Sequence, residues 1–163
     1  MSTAAIVIRP ERPDHPQVRL LLRQLDAYLA TLYEPEDNYI LGEQALLAAD
    51  VSFLVATQEQ RIVGCGAVRR MPPEAETSAR PYGEVKRMMV DPSLRGQRIG
   101  ARLLEALESM LRADGIDLAM LETGAAQTEA VRLYERSGYR RRGAFGDYRD
   151  NGLSVFYEKP LQP

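Results

Sequence analysis

Apolar positions along this chain change period several times, and each change marks an element. Ile6-Val7-Ile8 is a short apolar run that meets Arg9-Pro10, the pattern of a first strand ended by a proline. Leu21, Leu22, Leu25, Tyr28, Leu29 and Leu32 then recur at helical spacing and predict a helix from Pro16 to Tyr33. A polar, turn-rich stretch from Glu34 to Asn38 separates it from a shorter helix expected over Glu43 to Ala49. Ser52 to Thr57 and Ile62 to Arg69 read as two strands joined through Gln58-Glu59-Gln60-Arg61, a hairpin connection. Met71 to Pro81, rich in proline and in small or acidic residues, is a loop leading to a strand from Tyr82 to Val90.

The second half is more regular. After Arg95, the residues Ile99, Leu103, Leu104, Leu107, Met110 and Leu111 form one apolar stripe opposite a charged face, with Gly115 as a stop. Leu118 to Glu122 predicts a strand and Thr128 to Ser137 a helix closed by Gly138; Tyr139 to Arg142 and Leu153 to Glu158 predict the last two strands. The order is strand, helices, three strands, helix, strand, helix, two strands. It implies an α/β fold built as one mixed sheet covered by helices.

Composition narrows the function without naming it. A chain of 163 residues that is 45% hydrophobic and 27% charged is expected to be one domain over residues 1–163, with a core of its own. A net charge of −2 gives no overall case for nucleic acid or an anionic membrane, and Arg69-Arg70 and Arg140-Arg141-Arg142 are too short for a nucleic-acid footprint. Cys65 is the single cysteine and His15 the single histidine, so no internal disulfide and no metal site are expected. No basic leader with a long apolar core precedes the first strand, and no run approaches the ~20 apolar residues of a membrane helix; the expected compartment is the cytoplasm.

Candidate chemistry gathers in the run from Val85 to Gly100. An apolar strand end at Met88 to Val90, turn chemistry in Asp91-Pro92-Ser93 and a glycine-bearing entry into a helix make a phosphate-binding corner. The amides around Gln97 to Ala101 would be unpaired at a helix N-terminus and carry its positive end, and Arg95 and Arg98 would add charge-assisted bonds to a pyrophosphate. Within this run, Arg95-Gly96-Gln97-Arg98-Ile99-Gly100 resembles the Q/R-x-x-G-x-G/A signature of the GNAT superfamily of acyl-CoA N-acyltransferases. Ala130-Val131-Arg132-Leu133-Tyr134-Glu135-Arg136-Ser137-Gly138-Tyr139 is similar to that family's A-x-x-L-Y-x-x-x-G-[FY] element, and the element order agrees from Ile6 to Leu161. Two departures stand out: Arg98 occupies the signature's first glycine, and Gln127 stands where many members have Asn.

The resemblance implies a GNAT-like single domain, its mixed sheet flanked by helices on both faces, that moves an acetyl group from acetyl-CoA to a primary amine by direct attack, without metal. Backbone groups of Met89 and Val90 would pair with the pantetheine arm. Arg95, Gly96, Gln97, Arg98, Ile99, Gly100 and Ala101 would hold phosphate, and Gln127 would supply an amide contact. Tyr134 matches the tyrosine that protonates the departing thiolate, and Glu84 the glutamate that acts as a base through water in some members. Residue by residue, plainer readings compete: Tyr134 as a packing residue, Glu84 as a solvated strand end, the arginines as the wet face of a helix. Cys65, between two glycines, reads as a small packing residue, and His15 as a surface loop residue. Tyr33, Tyr39, Tyr82 and Tyr148 are candidates to line the acceptor pocket. The expected acceptor is a small-molecule amine or a peptide, and a homodimer is the family expectation. The rivals are a non-catalytic acyl-CoA-binding or sensor module and, without a Gly-Lys-Ser/Thr sequence to support it, a nucleotide-binding domain.

Overall fold

In the computed structural model, which describes residues 4–77, 79–94 and 96–162, seven strands form a single sheet. The strands are β1 (Ile6–Pro10), β2 (Val51–Gln58), β3 (Arg61–Met71), β4 (Tyr82–Val90), β5 (Leu118–Gly124), β6 (Arg140–Arg142) and β7 (Ser154–Pro160). The helices are α1 (Pro16–Leu32), α2 (Glu43–Leu46), α3 (Ile99–Ala113) and α4 (Thr128–Arg136). The sheet order is β1-β2-β3-β4-β5-β7-β6, antiparallel except for β4 and β5, which run parallel and are joined by the α3 crossover. No helix among the described residues is long and apolar enough to cross a membrane.

Most boundaries fall within two residues of the sequence pattern; the exceptions have local causes. β1 runs on through Pro10, which pairs with Leu54, because β1 is an edge strand and the missing N–H there costs no ladder bond. The β2–β3 connection tightens to Glu59 and Gln60, both with positive φ (50° and 68°), the backbone that matches strand twist in two-residue hairpins. α2 is a single turn ending at Leu46 rather than reaching Ala49. His15 is no plain loop residue: it caps α1, its Nδ1 accepting from the Gln17 amide at 3.1 Å.

The two faces of the sheet carry different helices. Val18, Leu21 and Leu22 of α1 pack on Val55, Cys65 and Ala67 on one face. Ile99, Leu103, Leu104, Leu107 and Leu111 of α3, all essentially inaccessible, pack on Val63 and Val85 on the other. Small strand residues let α3 lie close: a Cβ on Gly66 would meet the Met88 Sδ at 2.4 Å and Leu107 at 3.2 Å, and one on Gly83 would meet Leu111 at 2.3 Å. One charge lies on the buried side of α3 against the periodic pattern. Glu108, 1% exposed, accepts from the Tyr139 hydroxyl at 2.9 Å and from Lys159 Nζ at 2.8 Å, so its burial is compensated and ties α3 to the last strands.

Candidate active site

The site begins with a fault in β4. Its register against β3 slips between Ala67↔Lys86 and Cys65↔Met89, and Arg87 is the extra residue, held at φ 59°. On the other side β4 pairs with β5 only at Gly83↔Ala119 and Glu84↔Met120. Past that point the strands diverge, so the β4 edge at Met89 and Val90 pairs with β3 alone and its other edge opens to a gap.

A groove of about 1170 Å³ fills the α3–α4 side of this gap. Its floor is the end of β4, with Met89 and Val90; one wall is the turn and helix start, with Gly96, Arg98, Ile99, Gly100 and Ala101, and the opposite wall is α4, with Tyr134, and its N-cap Gln127. The turn is fixed by Asp91, whose Oδ1 accepts from the Ser93 amide at 2.9 Å and the Ser93 hydroxyl at 2.8 Å. Gly96 (φ 85°) and Arg98 (φ 60°, ψ 23°) are both left-handed, and Arg98 stands at the N-cap of α3 with no side-chain capping bond. The first amides of α3 therefore face the groove without a partner from the cap. Left-handed backbone at Arg98 explains why the GNAT signature carries glycine there. Gly100 is where the helices meet, since a Cβ would lie 3.0 Å from Leu133. Gln97 is exposed and is not on the groove wall, and Arg95 lies outside the described residues.

A smaller pocket of about 80 Å³ occupies the α1 side of the gap. It is bounded by Leu29 of α1 and Tyr33 just after it, by Tyr39 and Ile40, by Lys86 and Arg87 at the bulge, and by Glu122 and Gly124 of β5. Tyr33 closes it by resting on Gly124: a Cβ there would fall 1.5 Å from the Tyr33 hydroxyl. Leu25, Met88, Gln127 and Tyr134 line both cavities, so they mark the passage between them.

Tyr134 is 6% exposed and packs edge-on to Tyr139 at 5.9 Å, and it lines both cavities. Burial, and then the charge of Glu122, push its pKa upward, so the phenol keeps its proton at neutral pH. Packing and a place on both cavity walls thus coexist in one residue.

Glu84 is not a solvated strand end. It is 5% exposed, receives the Tyr148 hydroxyl, and lies 3.6 Å from Lys86 Nζ, which itself donates to the Tyr148 oxygen at 2.6 Å. It is on neither cavity wall. Burial first, and then Glu84, raise the pKa of Tyr148. Among the four candidate tyrosines, Tyr33 and Tyr39 line the pocket. Tyr148 stands behind it, edge-on to Tyr39 at 4.9 Å, while Tyr82 is wholly buried with its hydroxyl on Glu74 Oε1 at 2.7 Å. Cys65 is buried against the bulge, its thiol donating to the Arg87 carbonyl at 3.4 Å and pushed up to about 12 by burial, which leaves it unreactive.

Sequence reasoning missed two residues of the pocket. Glu122 accepts from the Ser154 hydroxyl at 2.6 Å, and burial raises its pKa against that bond. Its signal was an acid placed directly after the apolar run Leu118 to Leu121, inside the strand. Arg87 had no signal of its own, because strand alternation assigns it to the opposite face from Lys86; the bulge overrides that alternation.

Comparison with known proteins agrees with this architecture. An IAA acetyltransferase from Azospirillum brasilense is 44% identical over 156 residues, covering 96% of this chain and 98% of the relative. A crystal structure from Klebsiella pneumoniae, described as belonging to the acyl-CoA N-acyltransferases, superposes with a TM-score of 0.76 at 37% identity, over 96% of this chain and 98% of that one. The PaiA N-acetyltransferase of Thermoplasma acidophilum, solved in complex with coenzyme A, shares the fold at 19% identity with a TM-score of 0.72, over 96% of this chain and 99% of that one. The model of the acetyltransferase (GNAT) family matches residues 18–139, and with the split sheet, the groove and the α3 entrance already in view, the chain belongs to that family.

Proposed function

We propose that the chain acts as one catalytic domain that transfers an acetyl group from acetyl-CoA to the primary amine of a small molecule by direct attack. The observation that carries this reading is the passage at Tyr134, which joins a groove long enough for an extended cofactor to a pocket sized for a small acceptor. The groove's features suit coenzyme A: a free β4 edge for the amides of a pantetheine arm, and left-handed turn residues leading to open α3 amides for phosphate. Bound there, acetyl-CoA supplies an activated acyl group on a thiol leaving group.

The roles of the side chains follow from where they stand. Met89 and Val90 orient the arm along β4, which is a contribution of proximity. Arg98 adds positive charge at the phosphates; the resemblance gives Arg95 the same role. Glu122, on the pocket wall with a raised pKa, takes the amine's proton as the N–C bond forms; Tyr134 returns one to the sulfur as the C–S bond breaks. Glu84 acts from behind, holding Tyr148 and Lys86 so that the charge at the bulge stays in place.

The test is acetyl-CoA-dependent thiol release over a panel of amino acids, polyamines, aminoglycosides and short peptides. Release with any amine in the panel, with formation of the amide, is the expected result. Silence across the panel from a protein whose melting midpoint still rises with acetyl-CoA would move the reading to a non-catalytic acyl-CoA-binding module.

A further inference from the structure

Arg87 stands in the pocket wall with its hydrogen bonding incomplete. Its side chain is 6% exposed, and Nη1 donates to Asp26 Oδ1 on α1 at 2.6 Å. Nε is buried and has no partner among the described residues. A guanidinium carries five N–H donors in one plane, and the edge formed by Nε and Nη2 is a fork that matches two oxygens of an oxyanion. With Nη1 committed to Asp26, that edge is the part left to a ligand. A buried charged donor without an acceptor is a costly arrangement to keep.

The backbone repeats the point. Arg87 holds a left-handed φ of 59°, a conformation that disfavours a side chain of this size. The bulge that imposes it also turns Arg87 toward α1, on the same side as Lys86, so one distortion both opens β4 from β5 and delivers the cation to the pocket. Around it the pocket is more polar than apolar: Leu29, Tyr33, Tyr39 and Ile40 share the wall with Asn38, Thr123, Gln127 and a second cation, Lys86. Its acids are Glu122, toward the Tyr134 passage, and Asp37, which receives Asn151 Nδ2 at 3.2 Å.

Resting on the transferase reading above, we infer that the acceptor is an amine that also bears an oxyanion, a carboxylate or a phosphonate, bound by the free edge of Arg87. The amine then points toward Glu122 and Tyr134, where the proton leaves and the acyl group arrives. Asp26 is a positioning residue: from the surface of α1 it holds the plane of the guanidinium.

The experiment uses acceptors matched in carbon skeleton and differing in the anion, leucine, its aminophosphonate analogue and isopentylamine, each assayed with wild type, Arg87→Gln and Asp26→Asn, with the acetyl-CoA shift in melting midpoint recorded for every protein. The expected result for wild type is a kcat/KM for at least one anionic acceptor about ten- to a hundredfold above the bare amine, carried mainly in KM. Whichever anion leads identifies the group. Arg87→Gln collapses that ratio toward one, and Asp26→Asn lowers it part of the way. Equal use of all three acceptors, a proportional loss on all three in Arg87→Gln, or no turnover of either anion while acetyl-CoA still binds overturns the inference. A wild-type protein that does not bind acetyl-CoA overturns the transferase reading beneath it instead. Should Arg87→Gln fail to fold, the wild-type ranking and Asp26→Asn, at a residue with a 43% exposed side chain, decide the question.

Discussion

The two cavities that meet at Tyr134 are built on opposite plans. The groove toward α3 is walled by contiguous chain, the end of β4, the turn and the start of the helix, and it offers backbone: a free strand edge and unpaired helix amides. The pocket toward α1 is walled by side chains from distant segments, Tyr33, Tyr39, Arg87 and Glu122, and each is set by a contact with another element. Backbone recognition suits a ligand whose features repeat among related proteins, because it tolerates side-chain change. Side-chain recognition suits the ligand that distinguishes one protein from the next.

The contrast can be broken in order of size. Tyr134→Phe strikes the passage and should lower kcat by about 10²- to 10⁴-fold, the usual worth of a proton donor. Because phenylalanine keeps the ring packing against Tyr139, the melting midpoint and the affinity for acetyl-CoA should hardly move; a substantial fall in either would make Tyr134 a structural residue. Gly124→Ala strikes the pocket alone: the Tyr33 ring must shift, and the acceptor KM should rise ~tenfold while the KM for acetyl-CoA stays within about twofold. An equal rise in both would mean the cavities are not independent.

A pH profile sharpens the division at Glu122. Burial favours its protonated form, so the base is lost at a higher pH than for an exposed carboxylate. In wild type, log kcat/KM should fall with slope one below the pKa of the amine and steepen toward slope two below that of Glu122. Glu122→Gln should be slower and keep slope one throughout. The smallest effect is at the groove: Arg98→Gly relieves a left-handed side chain at φ 60° but loosens the unfolded chain, a net gain of up to about 1 kcal/mol, or ~3 °C in midpoint. Affinity for coenzyme A should drop a few-fold with the lost charge, a loss that shrinks at high salt.

How much of this was legible in the chain follows from the same division. The α3 stripe from Ile99 to Leu111, the strand from Tyr82 to Val90 and the turn at Asp91 are local, and their periods and turn residues place them nearly as they fold. Glu84 is the counterexample. Its polar surroundings, Glu84-Val85-Lys86-Arg87, suggested a wet strand end, but charge and hydrogen bonds supplied by Lys86 and by Tyr148 from 64 residues away permit its burial. Glu108 was hidden the same way, since its partners Tyr139 and Lys159 arrive from the far end of the chain.

The sequence by itself determined the elements, their order, the glycine-bearing entrance to α3 and the placing of Tyr134 on the helix after β5, because each rests on residues within a turn or two of one another. Only the tertiary structure decided where β4 leaves β5, that Arg87 faces α1, that Glu122 reaches the pocket and that Tyr33 seals it on Gly124. Those outcomes depend on strand register and on contacts across the sheet, and a one-residue bulge is enough to turn a side chain to the other face.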